Sequence, residues 1–288
     1  MLSAQNHLEF GSSTMRSTVF LERRLRVHMI RRDRLVFDSA FAPPARAQST
    51  SVHLFAQLSG TFAVAGAAAR SGPCAFVLAE TEFDRVVRGA TTFRSFGARC
   101  TIIEIRISAS DLRRPVGLGH GPVELAAPVW AAYHALEAQP GEAGVHDLIN
   151  ALGATGVLTR DLTASVVATE PERFQRVWAV VRPLYQDLAT STSLKQIAAL
   201  AGLSLRQLGR DLGDLTRTFG LFGAGFRDAM RVVRLRAAVL LLSAPDGTPS
   251  EVARTVGYGS LDAMGRAFRD AHLPAPSVVQ EAVRYRDP

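Results

Sequence analysis

Lysine is almost missing from this 288-residue chain: of its 33 basic residues only Lys195 is a lysine, and the rest are arginine. The bias most simply reflects a GC-rich genome rather than chemistry. Cysteine is scarce too. Cys74 and Cys100 stand apart, with no CxxC or Cys/His spacing, so the usual marks of a zinc site or a redox pair are missing. Both are expected to be small buried apolar residues. The longest fully apolar run, AAVLLL at 237–242, falls far short of the ~18 residues that span a bilayer. The opening MLSAQNHLEFGSST is polar and has no apolar signal core. These absences point to a cytoplasmic protein with no membrane contact.

What is present is a globular composition: 47% hydrophobic and 20% charged residues, enough for a proper core. The length suggests about two domains. The net charge is +7 and the pI about 10.3. Residues 172–288 hold 16 basic and 11 acidic side chains, net +5, against net +2 for residues 1–171. A basic C-terminal part fits an anionic partner, most often nucleic acid.

Residues 18–108 read as strand-rich. TVFLERRLRVHMI is long and extended, VHLFAQLSGTFAVAG splits at Ser59-Gly60 in a hairpin pattern, and CAFVLA and CTIIEIRIS add further runs. In IIEIRIS, Ile103, Ile105 and Ile107 fall on one face and Glu104 and Arg106 on the other. From Pro122 the chain turns Ala/Leu-rich and reads as helices, PVELAAPVWAAYHALEA and GVHDLINALGA. Pro171 sits at a helix start, and everything after it reads as helical, broken at Gly202, Gly220, Ala244–Gly247 and Gly257. The expected organisation is 1–170 and 171–288.

One stretch is written twice. SLRQLGR at 204–210 and SLDAMGR at 260–266 match in type at five of seven positions, 56 residues apart. On a helical wheel of about 100° per residue, Leu205, Leu208, Leu212 and Leu215 gather on one side and Arg206 and Arg210 on the other. In the second copy Leu261, Met264 and Phe268 are apolar, and Asp262 and Arg266 take the places of the two arginines. Each copy follows a short helix and a Gly-containing turn, Gly202-Leu203-Ser204 and Gly257-Tyr258-Gly259-Ser260. Glycine permits a left-handed helix end. Ser204 and Ser260 can each cap the next helix. This is the logic of a helix-turn-helix, whose second helix enters the major groove of DNA.

Two phased copies with a connecting helix resemble the AraC/XylS family of bacterial transcription regulators. The matching stretches are IAALAGLSLRQLGRDL, RLRAAVLLL and VARTVGYGSLDAMGRAF, within residues 175–286. The family's linker-helix pattern falls on Arg234, Leu235, Ala238, Leu241 and Leu242, and its Gly-aromatic-x-Ser on Gly257, Tyr258 and Ser260. Departures are Leu212 and Met264 where the family usually has Phe, and Leu273 where it has Gly. The resemblance implies helix-turn-helix motifs at about 194–216 and 250–271 in an all-α C-terminal DNA-binding domain. It implies groove contact by Leu205, Arg206, Gly209 and Arg210, and by Leu261, Asp262, Gly265 and Arg266. Arginine pairs bidentately with guanine, while Asp262 can accept from cytosine N4 or brace Arg266. Gly209 and Gly265 each cost a helix about 1 kcal/mol relative to Ala; they are either drift at a tolerant surface or room for a close approach to DNA.

For the N-terminal part the resemblance implies a small cupin-like β-barrel with trailing helices, an α+β whole, and a role in effector binding or dimerisation. The helices at 122–155 form a dimer surface or simply pack on the barrel. A metal-dependent cupin needs His-x-His with Glu and a later His, whereas His28, His53, His120, His134 and His146 are scattered. No Ser/His/Asp set is evident, and GLGHG at 117–121 is too short for a phosphate loop. No metal, cofactor or catalytic residue is therefore expected. An enzyme with its chemistry in the barrel is the alternative reading. RRLRVHMIRRDR places Arg24, Arg26 and His28 on one strand face, either as a charged outward or edge face or as contacts for an anionic effector or for DNA. The expected partners are double-stranded DNA over two successive major-groove segments, a small-molecule or anionic effector, a second copy in a homodimer, and RNA polymerase if the protein is an activator.

Overall fold

The structure is a computed structural model and describes residues 1–43, 51–64, 69–79, 93–113, 123–165, 170–190, 192–221 and 226–285. GLGHG and His120 lie outside these residues. The chain is α+β: an antiparallel sheet comes first and a helical half follows, as expected. The strands are β1 (Leu2–Phe10), β2 (Ser13–Leu21), β3 (Leu25–Asp33), β4 (Phe37–Asp38), β5 (Ser51–Val64), β6 (Arg70–Ser71), β7 (Cys74–Ala79) and β8 (Phe93–Ser108). They pair in the order β1-β2-β3-β8-β5-β6, with β4 on β8 and β7 on β5.

The sheet departs from the sequence reading in three places. The opening segment is a full strand. In β1, Leu2, Ala4, Leu8 and Phe10 are buried, Asn6 is partly buried on the same face, and the alternate residues are less buried, the two-residue period of a half-buried strand. TVFLERRLRVHMI is not one strand but two, because Glu22 N–H donates to Leu25 O at 2.9 Å and closes a turn at Arg23-Arg24. Arg24 therefore lies in that turn, and only Arg26 and His28 share a face of β3. Ser59-Gly60 is not a hairpin either. β5 runs straight through it and shifts register against β8 between Gln57 and Thr61. Gly60 has φ +85, and a Cβ there would meet Cys100 Sγ at 2.3 Å. A glycine at a bulge lets a long strand bend without leaving its ladder.

Alternation gives the sheet two apolar faces. Val27, Met29, Leu54, Ile103 and Ile105 pack under α1 (Ala127–Ala138), α2 (Glu142–Ala154) and α3 (Arg160–Ser165), against Val129, Tyr133, Leu136, Leu148 and Leu152. The apolar sides of the helices after Pro122 thus lie on the sheet. Phe55, Phe62, Phe76 and Phe93 form a separate cluster on the other face, with Phe62 and Phe76 centroids 4.1 Å apart. Cys74 and Cys100 are free and buried.

The helical half comprises α4 (Glu172–Gln186), α5 (Leu194–Leu200), α6 (Leu205–Phe219), α7 (Phe226–Leu241), α8 (Pro249–Thr255), α9 (Leu261–Asp270) and α10 (Pro276–Tyr285). Two helix-turn-helix units, α5–α6 and α8–α9, are joined by α7. Leu235, Ala238 and Leu241 of α7 are buried. Among the described residues no helix is long and apolar enough to cross a membrane.

The core of this half does not stop at α4. Leu2, Ala4, Leu8, Phe10, Leu21 and Leu35 belong to the same buried cluster as Val177, Trp178, Val181 and Leu241. Trp178 Nε1 donates to Ser3 O at 2.9 Å, and Asn6 Nδ2 donates to Tyr185 O at 2.9 Å and Gln186 O at 3.0 Å. Ser12 is bonded to Asp246, and Val36 N–H donates to Ser243 Oγ at 2.9 Å. A Cβ on Gly247 would fall 1.9 Å from the Phe10 ring.

That contact is testable in a double-mutant cycle followed by denaturant unfolding. Phe10→Ala is expected to cost about 3–5 kcal/mol, the usual range for emptying a buried aromatic site. Gly247→Ala should cost about 1–3 kcal/mol through overpacking. Made together they should cost clearly less than their sum, because the shortened side chain at position 10 leaves room for the new methyl. Strict additivity would show that the two residues do not touch.

Candidate nucleic-acid interface

The two helix-turn-helix units are built by the same local chemistry. Ser193 opens α5 with a capping box to Gln196, and Thr248 opens α8 with one to Glu251. Both short helices end in left-handed glycines, Gly202 (φ +65) and Gly257 (φ +82). Two residue-for-residue equivalent hydrogen bonds lock the turns: Leu203 N–H to Ala198 O at 2.9 Å and Tyr258 N–H to Ala253 O at 2.8 Å, the closing bond of a Schellman motif. Gly257 is further constrained, since a Cβ would strike Leu188 O at 2.3 Å. Ser204 and Ser260 are the N-caps expected of them, accepting from Gln207 N–H and Ala263 N–H.

The second helices bury one side and present the other. Leu208, Leu212 and Leu215 of α6 are in the core, as are Met264 and Phe268 of α9. Arg206, Arg210, Asp262 and Arg266 are exposed. None of the four has a side-chain hydrogen bond or ion pair among the described residues. Asp262 therefore does not brace Arg266. Other arginines of this half are paired: Arg173 with Asp214 at 3.5 Å, Arg176 with Glu172 at 3.0 Å and Arg231 with Asp228 at 2.8 Å. Around Gly209 and Gly265 nothing lies within 4 Å of an added Cβ.

The wheel errs at its first position. Leu205 is 56% exposed and Leu261 39%, so neither is buried with the rest of the apolar side. Each is the first residue of its helix. Gln207 and Arg269 are also exposed on these helices. Comparing the copies passes over them, because Ala263 and Gly213 stand at the equivalent positions; exposure and polarity read singly would have found them.

The three N-terminal candidates are each tied to an acid. Arg24 pairs with Asp111. Arg26 meets Glu104 at 3.2 Å, and His53 Nδ1 meets the same carboxylate at 2.5 Å. His28 lies 3.8 Å from Glu104 and is hydrogen bonded to Ser17 Oγ at 2.7 Å. Burial pushes the Glu104 carboxyl up, but Arg26 and the hydrogen bonds from His28 and His53 outweigh it and hold the group well below the usual carboxylate range. Burial lowers the His28 imidazole against the pull of Glu104. Arg24 and Arg26, without His28, line a cleft of about 320 Å³ whose other wall is Arg217–Gly220, the end of α6. There Arg106 of β8 donates to Gly220 O at 3.0 Å. Among the described residues no group of three or more His, Cys, Asp or Glu is placed to hold a metal ion.

No protein-family model matches the chain, and neither does any curated protein. Among solved structures it is similar to a DNA-binding transcriptional dual regulator from Escherichia coli K-12, with 22% identity over 41% of this chain and 98% of that one and a TM-score of 0.32. ToxT from Vibrio cholerae O395 overlaps 92% of this chain and 100% of its own at 12% identity and a TM-score of 0.36. The AraC-like transcriptional activator CuxR overlaps 81% of this chain and 85% of its own at 15% identity and a TM-score of 0.33. At such identities and overlaps a functional reading rests on this chain's own residues.

Proposed function

We propose that this protein is a sequence-specific DNA-binding transcription regulator whose contacts are made by α6 and α9. One observation carries the reading. Two helices with matching caps and turns carry exposed charged side chains at matching positions, and these have no partner in the protein among the described residues. The fold pairs Arg173, Arg176, Arg217 and Arg231 with acids nearby and leaves these pointing outward, which suits an anionic partner outside the molecule. The binding unit is residues 171–288, with α6 and α9 in successive major-groove segments about one turn, ~34 Å, apart.

The sheet half, read as cupin-like, serves control by an effector or by dimerisation. The cleft at Arg24 and Arg26 is the place for an anionic effector, because it adjoins the end of α6. RNA polymerase is a partner if the protein activates. The test of the whole reading is selection of duplexes from a random pool by the full-length chain, followed by gel shifts with the selected sequence. Enrichment of one sequence is expected, with affinity falling steeply with salt as phosphate contacts release counterions. Failure to enrich any sequence would remove the proposal.

Arg210→Ala and Arg266→Ala should each relax base preference in a different half of the selected site, at about 1–3 kcal/mol per lost bidentate contact. Binding titrations against single-base variants read this out. Uniform weakening on all sequences would place that arginine on phosphate instead.

Gly209→Leu and Gly265→Leu should raise helix stability by roughly 0.5–1 kcal/mol through propensity alone, since open space surrounds both positions in the free protein. Both should nevertheless weaken DNA binding by steric displacement, with little dependence on salt. Thermal unfolding and affinity at two salt concentrations separate the effects. A raised melting temperature with unchanged affinity would mark the glycines as surface drift.

A further inference from the structure

We propose that Leu205 and Leu261 read thymine, each laying its isobutyl group against the C5-methyl of one thymine in its own half of the DNA site. The inference rests on the DNA-binding reading and adds to it a base identity that the arginines cannot supply.

The starting point is a pair of leucines in the wrong place. Exposed large hydrophobics among the described residues are Leu200, Leu205, Leu261 and Val278. Leu200 has no apolar counterpart in the second motif, because Thr255 stands at the equivalent position. Leu205 and Leu261 are equivalent to each other, one residue after the capping serine in each copy. Neither is among the buried or partly buried residues that make up the apolar clusters, so core packing does not account for a leucine at both positions.

Their position gives a reason. Helical side chains lean toward the helix N-terminus, so the first residue covers the leading end of its helix. Residues at that end of a recognition helix contact base edges. Leucine can neither donate nor accept a hydrogen bond, and in the major groove the apolar feature that distinguishes a base pair is the thymine methyl. The charge alongside argues for DNA over an apolar protein surface: Arg206 and Arg210 follow Leu205, and Arg266 follows Leu261, all exposed and unpaired among the described residues. Each half-site should therefore hold a thymine at the same offset from the base read by Arg210 or Arg266, on the side facing the start of the helix.

The experiment uses the full-length chain and its selected duplex, with each thymine replaced in turn by deoxyuridine, which removes only the methyl. One position in each half should lose affinity about fourfold, the value of one buried methyl group. Leu205→Ala should abolish the sensitivity of one of these thymines and leave the other intact, and Leu261→Ala should do the reverse. Both variants should unfold within a few degrees of the parent chain, since neither side chain is buried. Deoxyuridine tolerated throughout by a chain that binds the duplex would overturn the thymine assignment and leave the regulator reading standing. So would an unaltered deoxyuridine response in both leucine variants. Absence of binding to any duplex would overturn the regulator reading itself.

Discussion

Strand β1 lies against helix α4, and the rest of the molecule is organised around that contact. Leu2, Ala4, Leu8 and Phe10 face Val177, Trp178 and Val181 within one buried cluster, and the Trp178 indole is anchored on a strand carbonyl. An edge strand is thereby covered rather than left to pair with another chain. The two halves consequently share apolar surface. Residues 171–288 taken without β1 would expose the inner side of α4 to water, so the proposed DNA-binding unit draws part of its stability from the first residues of the chain.

Much of the helical half was legible because its signals are local. Gly202, Gly257, Ser204 and Ser260 each act on their own neighbours, and repetition at a fixed offset made the pattern stand out. The sheet was less legible for physical reasons. The turn at Glu22–Arg24 contains no glycine or proline. Ser59-Gly60 looks like a hairpin because a left-handed glycine serves a bulge as well as a turn. β1 did carry its signal, the alternation of Leu2, Ala4, Leu8 and Phe10, but polar neighbours and a terminal position hid it. At the candidate interface the wheel separated Arg206, Arg210, Asp262 and Arg266 from the core correctly. It could not place Leu205 and Leu261, because periodicity gives a direction around the helix axis and says nothing of how much of the first turn is covered.

Two arginines from outside the motifs hold glycine carbonyls within them. Arg106 of the sheet donates to Gly220 O at the end of α6, and Arg234 of α7 donates to Gly257 O in the second turn at 3.3 Å. Cations near the carbonyl end of a helix are favourable. The sheet thus touches α6 at its far end, away from Arg206 and Arg210, while the second motif is held by the connecting helix. A change in the sheet reaches the first motif at the end of α6, and the second at Asp246 and Gly247, just before its opening cap Thr248.

The shared core also imposes an order on synthesis. Ser12 and its partner Asp246 are 234 residues apart in the chain, and β1 leaves the ribosome long before α4 exists. At roughly 5–20 residues per second, about 12–47 s separate the emergence of the two partners. Until α4 has emerged, Leu8 and Phe10 have β2 beside them but nothing over them. The nascent chain must carry an uncovered apolar strand through more than half of its translation, until α4 closes over it.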